Sequence, residues 1–171
     1  MMKQILLSGL IASLVLVSLI AVSCSSQKVE GFSIYLTKQD TPVTNMPALS
    51  HVECADEPII SVDDIISYSK ENHEIELTAD AYERISTLTV PTSGRAFVVC
   101  VDGRPIYWGA FWVGWSSQSF DGVTIILPPV PSDRYLIQIQ LGYPSPVFYQ
   151  GEDPRSNPEI LQSLKQAGKL T

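Results

Sequence analysis

RAFVVCVDGRPIYWGAFWVGW, residues 95–115, decides how the rest of the chain must fold. Ala96 to Val101 is a near-continuous apolar run, the pattern of a strand buried on both faces. Asp102-Gly103 follows, and both residue types tolerate the positive φ of a two-residue type I′ hairpin turn. Pro105 has no N–H to give to a ladder, so the returning strand is expected at a sheet edge or with a break. Gly109 and Gly114 argue against a helix beyond it. In an extended chain Trp108, Ala110 and Trp112 then face opposite to Tyr107, Phe111 and Val113. Both faces are apolar, whereas a two-layer domain usually buries only one. The rings of Tyr107, Trp108, Phe111, Trp112 and Trp115 are therefore either covered by another segment or form an interaction surface. GYPSPVFYQ at 142–150 and Ile160, Leu161 and Leu164 are the candidate covers.

Outward from this hairpin the signals alternate between strand and helix. FSIYLT at 32–37 has a period of two, and residues 38–58, with three prolines and no sustained period, read as an irregular excursion. SVDD at 61–64 has the form of a helix start, expected to last one turn, and IISYS and HEIEL form a hairpin around Lys70-Glu71-Asn72. Thr78 caps a short amphipathic helix carrying Ala81, Ile85 and Leu88 on one side. GVTIIL at 122–127 and YLIQIQL at 135–141 are further strands; Gln138 and Gln140 make one face of the second wet or polar-covered. Asn157, Pro158 and Gly168 mark the start and stop of a terminal helix. The sum is an α+β domain over 32–171: a mostly antiparallel sheet with one central and one C-terminal helix on one face.

The N-terminus carries one positive charge, Lys3, before an apolar run from Ile5 to Val22, the layout of a signal peptide over 1–23. AVSC, residues 21–24, resembles the bacterial lipobox, in which the cysteine is acylated and becomes the new first residue. That resemblance implies lipidation at Cys24, a short tether over 24–31, and a place on the cell membrane or outer membrane, outside the cytosol. The membrane is then the first partner. An uncleaved anchor or ordinary secretion is the alternative.

Cys54 and Cys100 remain, an even number, either bridged by a disulfide or both reduced. Residues 53–84 hold ten acids against Lys70 and Arg84, while the rest of the chain after position 23 is balanced. Such a segment repels phosphate, which argues against nucleic acid; it reads as a solvated face or, alternatively, as a surface for a basic peptide or loosely held divalent cations, without the spacing of an EF-hand loop.

ISVDDI at 60–65, IELTADAYERISTLT at 75–89 and GRAFVVCVDGRPI at 94–106 follow one another in a telling order. Over residues 59–127 this resembles the head of the first extracytoplasmic domain of the export subunit SecD. There an L-T-x-x-D-I segment, an L-T-x-x-A helix and an A-I-V-L-D-G hairpin come in succession. The family has small residues and proline after its hairpin, where this chain has Tyr107, Trp108 and Gly109. The resemblance implies a fold and a habit of handling polypeptide, and it does not imply proton-coupled transport.

Chemistry-bearing patterns are sparse. GWSSQ at 114–118 lacks the second glycine of a nucleophile elbow, and HVEC at 51–54 has no P-C-x-x-C downstream to complete a zinc site. His73 alternates with Ile75 and Leu77 and reads as a structural histidine, and Asp63-Asp64 reads as helix capping. No catalytic residue, metal site or cofactor is expected. The expectation is a non-enzymatic lipoprotein domain that binds a polypeptide or another envelope component; the alternatives are a structural or regulatory domain without a ligand, or a hydrolase with no recognisable motif.

Overall fold

Asp102 and Gly103 both take positive φ, 51° and 71°, and the hairpin they close joins β5 (Arg95–Val101) to β6 (Arg104–Val113). The computed structural model describes residues 31–129 and 133–171. The leader, Cys24 and the tether up to residue 30 lie outside the described residues. Asp102 also fastens the start of the domain: its carboxylate accepts the Gly31 N–H at 2.8 Å, and its own N–H donates to the Gly31 carbonyl at 3.0 Å.

Around that hairpin stand β1 (Phe32–Leu36), β2 (Ile60–Ser61), β3 (Ile65–Tyr68), β4 (Glu74–Leu77), β7 (Phe120–Leu127) and β8 (Leu136–Tyr143). They form one eight-stranded sheet in the order β2-β1-β5-β6-β7-β8-β4-β3. The two helices are α1 (Ala79–Ser86) and α2 (Pro158–Gln166). The fold is α+β, with a mostly antiparallel sheet. Both helix starts carry the expected caps: Thr78 Oγ1 accepts the Ala81 N–H at 3.4 Å and Asn157 Oδ1 accepts that of Glu159 at 2.9 Å. Ala81 and Ile85 of α1 and Ile160 and Leu164 of α2 share one core with Phe32, Phe97, Phe111 and Ile125, so both helices cover the same sheet face.

Pro105 does not put β6 at an edge, which corrects one of the two expectations for it. β6 lies between β5 and β7, and the pairing with β5 shifts by a bulge at this point: Val99 faces Tyr107 while Cys100 faces Pro105. Pro105 also falls outside the stretch paired with β7, which starts at Gly109, so its missing N–H breaks no described pairing there.

β6 and β7 run parallel, with Gly109 opposite Val123 and Val113 opposite Leu127. Parallel neighbours ordinarily need a connection of a dozen or more residues. Here only residues 114–119 make the return. Val123, the first β7 residue paired with β6, lies level with Gly109, four residues or about 13 Å back from Val113, a distance residues 114–122 can cover. The link is pinned from both sides: Ser116 Oγ donates to the Thr92 carbonyl at 2.6 Å, and the Tyr143 hydroxyl donates to the Gly114 carbonyl at 2.9 Å.

One end of the sheet is covered and the other is short. Beyond β3 the chain terminus lies alongside, with the Tyr68 N–H donating to Lys169 at 2.7 Å and the Lys70 N–H to Thr171 at 3.1 Å. At the other end β2 is only two residues long. Few unpaired strand groups remain among the described residues to recruit another strand.

Candidate binding groove

The alternation of β6 divides the aromatic strip between two faces. Tyr107 and Phe111 point under the helices and are buried there. Trp108 and Trp112 point to the opposite face, and their cover is the excursion between β1 and β2. Val43, in a short 3-10 turn, packs with Ala96, Ala110 and Trp112, while Leu49 and Val52 cover Tyr35, Val98 and Cys100. The stretch without periodicity is thus a third layer over half of the sheet. The remainder, over β8, is left to Gln138 and Gln140, whose side chains hydrogen-bond each other at 3.1 Å.

An exposed surface made of all five rings is therefore corrected. Trp112 is 2% exposed, and Tyr107 and Phe111 are core, because an internal strand with cover on both faces has no solvent side. Trp115, at 69% exposed, sits in the return after β6, and Trp108 is half-buried. Of the proposed covers, Ile160 and Leu164 do pack in the helix-side core with Tyr107 and Phe111, and Tyr149 lies against it. Tyr143 covers Trp112, at 5.9 Å between ring centroids.

Trp108 borders a groove of about 510 Å³. Phe120 lies beside it, ring centroids 6.0 Å apart at 43°, and Phe148, 42% exposed, stands at the rim. Thr44, Ser93, Gln118, Ser119, Asp121 and Gln150 supply polar groups. Five separated parts of the chain meet here, which no single motif announces. Asp121 is the one charged side chain lining it among the described residues. The mixture of flat rings, neutral donors and acceptors and a single carboxylate suits an uncharged or basic ligand.

A second recess, of about 400 Å³, opens beside α2 near Gly31 and Asp102. Arg104 and Glu159 line it, but they form an ion pair with each other, so neither charge is free for a ligand.

The titratable groups singled out in the sequence fall elsewhere. His73 is buried, at φ 55°, with Nδ1 3.0 Å from the Tyr68 hydroxyl. Burial and the Arg155 charge hold its pKa below the usual histidine value. Burial pushes Tyr68 up to about 12 and Tyr107 well above the ordinary tyrosine range. Arg155 is held in turn by Asp153 at 2.7 Å and by the Ile139 carbonyl at 2.9 Å. His51 is exposed in the excursion, its Nδ1 3.4 Å from Ser50 Oγ. The two histidines are thus in different layers. In the acidic segment, Asp64 accepts both the N–H and the hydroxyl of Ser61 at 2.8 Å and pairs with Arg84 at 2.9 Å.

Cys54 and Cys100 are both free thiols, one half-buried and one buried, and their side chains are in contact. Among the described residues no group of acids, histidines and cysteines is arranged to hold a metal ion. No known family model, curated protein or solved structure matches the chain.

Proposed function

We propose that this chain is a lipid-anchored extracytoplasmic domain that binds an extended, neutral or basic polypeptide in the groove beside Trp108. The observation that carries the reading is the composition of that groove: rings of Trp108, Phe120 and Phe148 beside the amides of Gln118 and Gln150. Flat rings take proline and apolar side chains, while amide groups pair with a partner's backbone N–H and C=O groups. Net charge supports the sign of the partner: the chain is −7 overall, and Asp121 is the groove's own charge. The resemblance of residues 59–127 to the SecD head supports a polypeptide over other envelope material. The covered β3 end and the two-residue β2 end argue against binding by strand addition and for binding in the groove.

A photoreactive phenylalanine analogue at Gln118 in the full chain, expressed in cells with its leader, tests this. The same analogue at Ile66, on the terminal strand β3, is the comparison. A protease-sensitive adduct from position 118 that disappears in Trp108→Ala supports the reading. Equal adducts from both positions, or an adduct resistant to protease and sensitive to glycosidase, overturns it.

A further inference from the structure

Cys54 and Cys100 come from distant parts of the sequence and meet for a structural reason. Cys100 lies in β5, in register with Ser33 of β1. Cys54 lies where the excursion returns to the sheet margin, paired with Thr37 just past the end of β1. Tyr35, Val98, Leu49 and Val52 surround the two sulfurs with apolar atoms. Neighbouring backbone is fixed on both sides: the Lys38 N–H donates to Glu53 at 2.8 Å and the Ala55 N–H to Leu36 at 2.9 Å. Strand pairing thus fixes the backbone at each cysteine, and the two side chains meet within one apolar cluster.

Their environments differ in a way that suits sequential chemistry. Cys54 is half-buried and reachable from solvent, while Cys100 is 1% exposed. A hydrogen bond from Cys100 draws the Cys54 thiol below its ordinary range, and the same contact together with burial pushes Cys100 far up. The outer sulfur is the one that ionises first.

From this juxtaposition we infer that Cys54 and Cys100 are a dithiol pair that closes to a disulfide by exchange with a small-molecule or protein disulfide, clamping the excursion onto β5. The Cys54 thiolate attacks one sulfur of the incoming disulfide, forming a mixed disulfide and releasing the other sulfur as a thiolate. Cys100 then gives up its proton and attacks Cys54 Sγ, and the second half of the oxidant leaves as a thiolate. Two cysteine thiols are oxidised, one disulfide is reduced to two thiols, and two protons are exchanged with solvent. The inference is independent of the groove and its partner.

The clamp has a definite effect on the fold. It closes a loop of about 45 residues, from the excursion through β2, β3, β4 and α1 to β5, and so restricts the unfolded chain. Trp108 packs against the cysteine cluster and also against the cluster around Trp112, so the clamp sits directly behind the groove's main ring.

The full-length protein in detergent, equilibrated with oxidised glutathione, alkylated under denaturing conditions and peptide-mapped, tests the inference. The expected result is a single cross-linked peptide pair joining residues 54 and 100, lighter by two hydrogens and reversed by dithiothreitol. It should be accompanied by a rise in Tm of about 10 °C. The same treatment of Cys54→Ser/Cys100→Ala should leave Tm unchanged. Alkylation of both cysteines after equilibration, or a stable glutathione adduct on Cys54 with Cys100 still free, overturns it. Mapping by peptide keeps Cys24 out of the count.

Discussion

Trp112 stacks on Phe120 with ring centroids 5.2 Å apart and planes 9° from parallel. One ring comes from late in β6 and the other from the first residue of β7, so the stack ties the two ends of the tight parallel return together. It also forms part of the groove wall. Truncating Trp112 to Ala removes this contact and the packing against Val43 and Tyr143, at an expected cost of about 3–5 kcal/mol. The indole N–H has no hydrogen-bond partner among the described residues, so Trp112→Phe should cost clearly less. Urea unfolding of the two variants measures the difference.

Gly109 is required by close approach. A Cβ there would lie 2.6 Å from the Val123 carbonyl oxygen and 2.6 Å from the Phe97 ring. Gly109→Ala must therefore push β6 away from β7, with an expected loss of about 2–3 kcal/mol. At Gly114 the nearest atom is the Ile126 methyl at 3.7 Å, and Gly114→Ala should stay within about 0.5 kcal/mol of the parent. Thermal unfolding of the pair compares them directly, and equal stabilities would contradict the register of the parallel strands.

His73 gives the fold a pH dependence of definite sign. Burial first, then the Arg155 charge, depress its folded pKa from 6.5, so the unfolded chain binds a proton that the folded one refuses. Stability from this group is complete above pH 6.5 and is lost as pH falls from there through the depressed folded pKa. His73→Asn keeps a residue that tolerates positive φ and removes the titration. Its denaturation midpoints between pH 7 and pH 5 should therefore fall less steeply than the parent's.

Asp64 holds the turn ahead of β3. Burial alone would raise its pKa, but the Ser61 N–H and hydroxyl and the Arg84 guanidinium outweigh it, and the net shift is down from 3.8. Its contribution is present above that value and fades as pH falls through the lowered folded pKa. Asp64→Ala should cost about 1–2 kcal/mol at neutral pH, measured by urea unfolding. Double replacement with Arg84→Ala should cost less than the sum of the two single losses.

The elements with strong local chemistry were legible in the sequence. Asp102-Gly103, Thr78 and Asn157 each act through their own backbone neighbours, so their turn and caps appear where the residue types place them. The pairing of β6 with β7 was not, because a six-residue link between two apolar runs looks like a hairpin, and only the side-to-side register reveals the parallel return. Likewise Val43, Leu49 and Val52 follow no period. Their role as a cover exists only once the excursion folds over Trp112 and Cys100. The groove shares that difficulty: Trp108 drew attention by composition, but Gln118, Asp121 and Gln150 join it through tertiary structure alone.

β8 stands between β7 and β4, so the β3–β4 hairpin has no neighbour in the sheet until residues 136–143 exist. Some sixty residues separate β4 from that partner, roughly 3–12 s of ribosome time. A nascent chain therefore carries a hairpin without its sheet neighbour through about a third of its synthesis, and the sheet is completed only when β8 arrives. Holdase chaperones would find their opening in this interval, and a truncation before Leu136 would leave the β3–β4 hairpin without its partner strand.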